Sequence, residues 1–154
     1  MPETAFAELL RRLSSTLTLK RMPITGCTER QLQELENVHG AMPAFYRIFL
    51  KRMGIVAGDF KTESWFFHAH LHDINAETRL LMKENHVQLP ARLFAFLMHQ
   101  GYTSLFFIQR DADPEVFCYT EGCEIASTQM RFSQFMKLEI DHYLSSDIQH
   151  CKKP

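Results

Sequence analysis

The stretch 28-TERQLQELENVHGAMPAFYRIFLKRMG-54 decides the fold, because it holds two helices with their start and stop signals. Thr28 followed by Gln31 is a capping box, in which each side chain reaches a backbone N–H that the first turn leaves free. Leu32, Leu35 and Val38 mark one face, and Gly40 stands where a left-handed C-cap is expected. Pro43 then takes a first-turn position, where its missing N–H costs nothing. Met42, Phe45, Tyr46, Phe49, Leu50 and Met53 recur at the helical period and form an apolar stripe. Lys51 and Arg52 fall in the last turn, where they complement the helix dipole, and Gly54 ends the helix. A helical hairpin with an apolar seam is predicted, with Tyr46 on that seam, buried and hydrogen-bonded.

Upstream, Phe6, Leu9, Leu10 and Leu13 share one face of a short amphipathic helix over residues 2–13. Residues 14–27 carry Pro23 and Gly26 and read as a connector, held against the body by Leu17, Leu19, Met22 and Ile24. Downstream, residues 55–62 read as a loop or weak edge strand, and 65–67 as a strand or a helix start. Residues 71–84 are helical, with Asp73 as N-cap and Ile74, Leu80 and Leu81 facing inward. From Leu89 the character turns to β. The runs 93–98 and 102–109, separated by His99-Gln100-Gly101, suit a hairpin whose last loop residue takes positive φ. A helix over 90–99 competes, because that stretch also has a proline start and a glycine stop. Residues 110–114 form a polar turn, and 115–119 and 124–128 are short strands joined at Glu121-Gly122. Phe132, Phe135, Met136, Ile140, Tyr143 and Leu144 give a last helical stripe, after which a polar tail is expected to fray.

Helices, then a meander with turns too short for parallel crossovers, then a helix: this order predicts an α+β domain with an antiparallel sheet flanked by helices. One domain spans 1–154, with an N-terminal helix and connector (1–27) and the helical hairpin (28–54). A helix plus antiparallel strands (55–128), a C-terminal helix (129–145) and a tail (146–154) complete it. With 45% apolar and 23% charged residues the chain has the make-up of a soluble globular domain. Its formal charge of -1 and the lack of a long basic run argue against nonspecific nucleic-acid binding. No apolar run is long enough to span a membrane and the N-terminus lacks a signal-like apolar core, so a cytoplasmic location is expected. Cys27, Cys118, Cys123 and Cys151 form no C-x-x-C and read as free thiols.

Two sets of residues carry a further reading. The first is Glu36, Gly40, Pro43, Tyr46, Phe49, Leu50 and Gly54. The second is Gly101, Phe106, Phe107, Asp113, Pro114, Val116, Tyr119, Phe132, Ser133 and Phe135. In this order they resemble the two signatures of the SUKH superfamily, which contains bacterial toxin-immunity proteins and the yeast regulator of cell-wall synthesis. Met42 stands where the signature has Leu, a volume-conserving change, and Met53-Gly54 stands for its Asn-Gly. The resemblance implies a SUKH-like α+β fold and a non-enzymatic protein without cofactor. Its implied role is to neutralise a cognate protein toxin, often a nuclease or deaminase, by stoichiometric occlusion. The yeast relatives imply an alternative, a regulator or scaffold that binds several cellular partners.

The residues offer their own chemistry. In His68-Ala69-His70-Leu71-His72 a strand would put three imidazoles on one face, a zinc- or iron-binding pattern, whereas a helix would align only His68 and His72. Asp73 is the nearest further ligand, and a small metal-dependent enzyme is the second alternative; solvated histidines are the plainer reading. Glu34, Glu36 and His39 lie close on one helix, and Asp111, Asp113 and Glu115 share one turn. Paired carboxylates serve acid–base chemistry when one is buried, or form an acidic rim that steers a basic partner. The partner-binding candidates are therefore Glu36, Asp111, Asp113, Glu115, Glu121 and Glu124. No phosphate loop, G-x-S-x-G or H-E-x-x-H occurs, and no catalytic residue is assigned.

Overall fold

The computed structural model describes the backbone of residues 1–152 and the side chains of residues 1–146. In chain order the elements are α1 (Glu3–Leu19), β1 (Ile24–Thr25), α2 (Glu29–His39), α3 (Ala44–Met53) and β2 (Val56–Ala57). A 3₁₀ turn (His68–His70) leads into α4 (Leu71–Glu84), followed by β3 (Phe94–His99), β4 (Thr103–Phe107), β5 (Glu115–Thr120), β6 (Ala126–Arg131) and α5 (Phe132–Lys152). The sheet is an antiparallel meander in the order β3-β4-β5-β6, and β1 pairs β2 in a separate two-stranded ribbon. The fold is α+β.

The α2–α3 hairpin forms as its caps dictate. Thr28 Oγ1 accepts from the Gln31 N–H and Gln31 Oε1 accepts from the Thr28 N–H, so both arms of the capping box are made. All six residues of the apolar stripe are buried. Val38 is not: it is 66% exposed. Each i+3 step falls about 60° short of a full turn, so Val38 lies about 120° away from Leu32 and leaves the seam. Gly40 has φ 86° and ψ 175°, a conformation essentially restricted to glycine but extended rather than left-handed helical. Pro43 precedes the first turn of α3, as its N-cap.

Tyr46 of α3 stands at the centre of an aromatic cluster, edge-on to Phe94, Phe107 and Phe132 at 5.6, 5.5 and 5.3 Å between ring centroids. One face of the sheet thus meets α3 and α5. The tyrosine is buried as expected, but its hydroxyl, like that of Tyr119, has no hydrogen-bond partner among the described residues.

Helix α4 covers the other face through polar contacts. Asn75 donates to the Ala95 carbonyl at 2.8 Å and accepts from its N–H at 2.8 Å, and Thr78 and Ser104 share a 2.7 Å hydrogen bond. Trp65 exchanges two backbone hydrogen bonds of 2.9 Å with Met98. Asn75 and Trp65 together occupy backbone groups of β3, which lies at one edge of the sheet; β6, at the other edge, pairs only with β5.

Several boundaries differ from expectation. Helix α1 does not end at Leu13 but runs to Leu19, because Leu17 extends the buried stripe and no breaker precedes Pro23. Asp73 is not the cap of α4, since the 3₁₀ turn runs into the helix and leaves Asp73 inside its first turn. Leu80 is 47% exposed; Asn75 and Thr78 take inward positions that counting apolar residues alone overlooks. Residues 94–98 are a strand, all of them buried. His99 pairs with Thr103, so the loop is Gln100-Gly101-Tyr102, one residue later than expected, with positive φ at Gln100 and Gly101. Strand β6 starts at Ala126 because the Cys123 N–H closes the preceding turn on the Thr120 carbonyl. The backbone of α5 continues through Lys152, so the tail from Ser145 is helical up to there; the expectation for residues 153–154 falls outside the described residues. Cys27, Cys118 and Cys123 are free thiols, and Cys151 lies outside the described side chains.

Candidate functional site

The six acidic candidates divide into two that the fold consumes and four at its surface. Glu36 accepts from the Met42 N–H at 3.1 Å and from Arg47 Nε at 3.2 Å, and so ties α2 to the start of α3. Asp113 accepts from the Ser133 N–H at 2.9 Å and from Ser133 Oγ at 2.6 Å, which caps α5. Asp111 lies 3.4 Å from Arg131 across the β5–β6 pair, and Glu115 accepts from Ser127 Oγ at 3.0 Å. Glu121 and Glu124 are exposed in the β5–β6 turn and make no ion pair among the described residues. The β5–β6 hairpin is therefore flanked by carboxylates at both ends, next to the edge strand β6.

The three histidines are not gathered. His70 stacks flat on Trp65, with centroids 4.9 Å apart and 3° between planes. His72 turns to α2 instead, its Nδ1 3.0 Å from His39 Nε2. The 3₁₀ turn produces this divergence, for it is neither the strand that aligns alternate residues nor the helix that aligns the fourth. Among the described residues no three His, Cys, Asp or Glu come together where they could hold a metal ion. His39 is driven down to about 4 by desolvation first, then by the positive charges of His72, Arg79 and Arg110. His68 is lowered by burial and by His72.

Arg110, whose neighbours in sequence mark a polar turn, is a structural centre. Its Nη1 donates to the Ala41 carbonyl at 2.8 Å and its Nη2 to the His39 carbonyl at 3.0 Å, so it closes the end of α2. It also donates to the Arg92 carbonyl and lies 5.6 Å above the Phe94 ring centroid. Burial and the neighbouring Arg92 charge lower its pKa. Arg110, Arg92, Arg79 and His39 line a depression of about 280 Å³. No spacing in the sequence joins residues 39, 79, 92 and 110, because four separate segments deliver them.

A larger depression, of about 510 Å³, lies beside Trp65, Met98 and Ser64. Ser64 Oγ is 2.9 Å from His99 Nδ1, a nucleophile–base distance. Among the described residues no carboxylate hydrogen-bonds His99 to orient it, so the pair is not a triad.

Compared with protein-family models, with curated proteins and with solved structures, the chain matches none. The resemblance to the SUKH superfamily rests on the residues that carry it.

Proposed function

We propose that the chain is a non-enzymatic binding protein that neutralises a cognate protein toxin by stoichiometric docking. One observation carries this reading: among the described residues β6 pairs with β5 alone and carboxylates flank its hairpin, whereas Asn75 and Trp65 close the β3 edge. Ser127 Oγ, Thr128 Oγ1 and Gln134 Oε1 accept from the N–H groups of Gln129, Met130 and Arg131, so it is the first half of β6 that offers strand-edge backbone groups to an incoming partner. Glu121 and Glu124, exposed and without ion pairs among the described residues, would speed encounter with a basic surface such as that of a nuclease. The signature residues Tyr46, Phe49, Leu50, Phe107, Val116 and Phe132 are all buried, which suits a scaffold whose specificity resides in its surface. An interface of about 800 Å² on each side would cover an active site of the partner.

The test is capture from the native cell. The immobilised protein should retain one protein in roughly 1:1 ratio, and the purified pair should show the partner's activity blocked. Glu121→Lys with Glu124→Lys should slow association at low salt about tenfold and leave the melting temperature unchanged. Recovery of no stoichiometric partner, or blockade that persists when β6 is disrupted, would sink the reading.

A further inference from the structure

The depression under α2 and α4 gathers three arginines, and no carboxylate lines it. Arg79 comes from α4, Arg92 from the α4–β3 connection and Arg110 from the end of the β4 segment, and the residues lining the space include no Asp or Glu. Among the described residues none of the three arginines forms a salt bridge. Elsewhere Arg11, Arg12, Arg30, Arg47 and Arg131 each face a carboxylate, while Arg21 and Arg52 form no salt bridge among the described residues but lie on separate segments and do not line this depression. With 18 acidic and 17 basic residues in the chain, acids for pairing are not scarce. None of them lines this depression.

We propose that this depression binds the phosphoryl group of a small molecule, gripped by Arg79 and Arg92 above a floor formed by Arg110 and His39. The floor is preorganised. Arg110 is fixed by its bonds to the carbonyls of His39, Ala41 and Arg92 and by the Phe94 ring beneath it. By occupying carbonyls at the C-terminal end of α2 it also covers the negative pole that would otherwise repel an anion there. Among the described residues the guanidinium of Arg79 is tethered by a single 3.5 Å contact to the Leu93 carbonyl, and Arg92 is exposed, so both heads can turn inward to a ligand. A guanidinium fork matches phosphate oxygens bidentately, and a phosphoryl group near -2 suits several clustered cations better than a single carboxylate does. Every charge that bears on His39 from its surroundings is positive (His72, Arg79, Arg110), and a bound anion relieves that repulsion.

The shape selects a small ligand. About 280 Å³ sits at the lower end of small-molecule sites, room for the phosphoryl group and part of its carrier. A nucleic-acid surface would need a basic stripe, and the chain has a net charge of -1 without one. This proposal does not depend on toxin neutralisation and shares none of its carboxylates.

Titration of the full chain with inorganic phosphate and, separately, with adenosine monophosphate, at constant ionic strength, tests it by calorimetry and by amide chemical shifts. Saturable binding is expected, with shifts at Gly40, Ala41, Arg92 and Arg110. Arg79→Gln and Arg92→Gln, at exposed positions, should each weaken it about tenfold, as loss of a charge-assisted hydrogen bond does, with the melting temperature unchanged. Equal affinity for both probes assigns the site to the free anion, and tighter binding of the monophosphate assigns it to phosphomonoesters; either supports the site. No saturable binding of either probe, or binding retained by the Arg79→Gln/Arg92→Gln double variant, overturns it.

Discussion

Tyr46 shows what one atom does in a crowded core. Its ring touches aromatic residues of α3, β3, β4 and α5, yet its hydroxyl is buried without a partner, and desolvation holds its pKa well above the ordinary phenol value. Stranding a buried hydroxyl costs about 1–3 kcal/mol, against a smaller loss of packing when the oxygen is deleted. Tyr46→Phe should therefore stabilise the protein by about 1 kcal/mol in urea unfolding, and a destabilised variant would mean that the oxygen is satisfied after all. That Tyr46 is central was legible from its place in the stripe. That its oxygen lacks a partner was not, since hydrogen bonding depends on which atoms arrive from β3, β4 and α5.

At the scale of elements, local chemistry and remote supply divide the helix termini between them. Helix α2 carries its own cap, Thr28 with Gln31, within four consecutive residues. Helix α5 carries only one arm of its own, with Gln134 Oε1 accepting from the Arg131 N–H; its Ser133 N–H is capped by Asp113, which comes from the segment just before β5. Asp113→Ala should cost about 1–2 kcal/mol, the upper range for an N-cap because two hydrogen bonds are lost, read as a lower urea midpoint with unchanged slope. A change in slope would instead indicate that α5 detaches before the rest unfolds. Gly26 illustrates a constraint of the same scale. A Cβ there would overlap the Lys51 carbonyl, because the connector crosses the end of α3 with the Cys27 N–H bonded to the Leu50 carbonyl at 2.8 Å.

For the whole molecule, pH is the probe that reads how the segments are assembled. His39 titrates near 4 in the folded protein, well below the ordinary imidazole value of 6.5, because it is desolvated and then faces His72, Arg79 and Arg110. The unfolded chain binds the proton more readily, so stability is complete above about pH 6.5 and declines as pH falls from there toward 4. His68 adds to the decline in the same direction. Glu29, held near 2 by Lys51 and Arg47, loses its contribution only at lower pH, as it protonates between its ordinary 4.5 and that value. Melting temperatures measured from pH 7 to 4.5 should fall, and His39→Gln should flatten the profile; an unaltered slope in that variant would show that His39 is not its source.

Periodicity, caps and turn residues acted over a few consecutive positions, and the amino-acid order alone was enough to determine the α2–α3 hairpin and the α+β class; it left residues 90–99 open between strand and helix, and it put Leu80 of α4 inward where Asn75 and Thr78 are buried. Those signals are local because backbone hydrogen bonding and side-chain spacing repeat within a turn or a strand pair. The divergence of the three histidines, the edge closed by Asn75 and Trp65, and the meeting of Arg79, Arg92 and Arg110 beside His39 were decided only by tertiary structure. Each joins segments tens of residues apart, and no local rule encodes which side chains the packed core brings face to face.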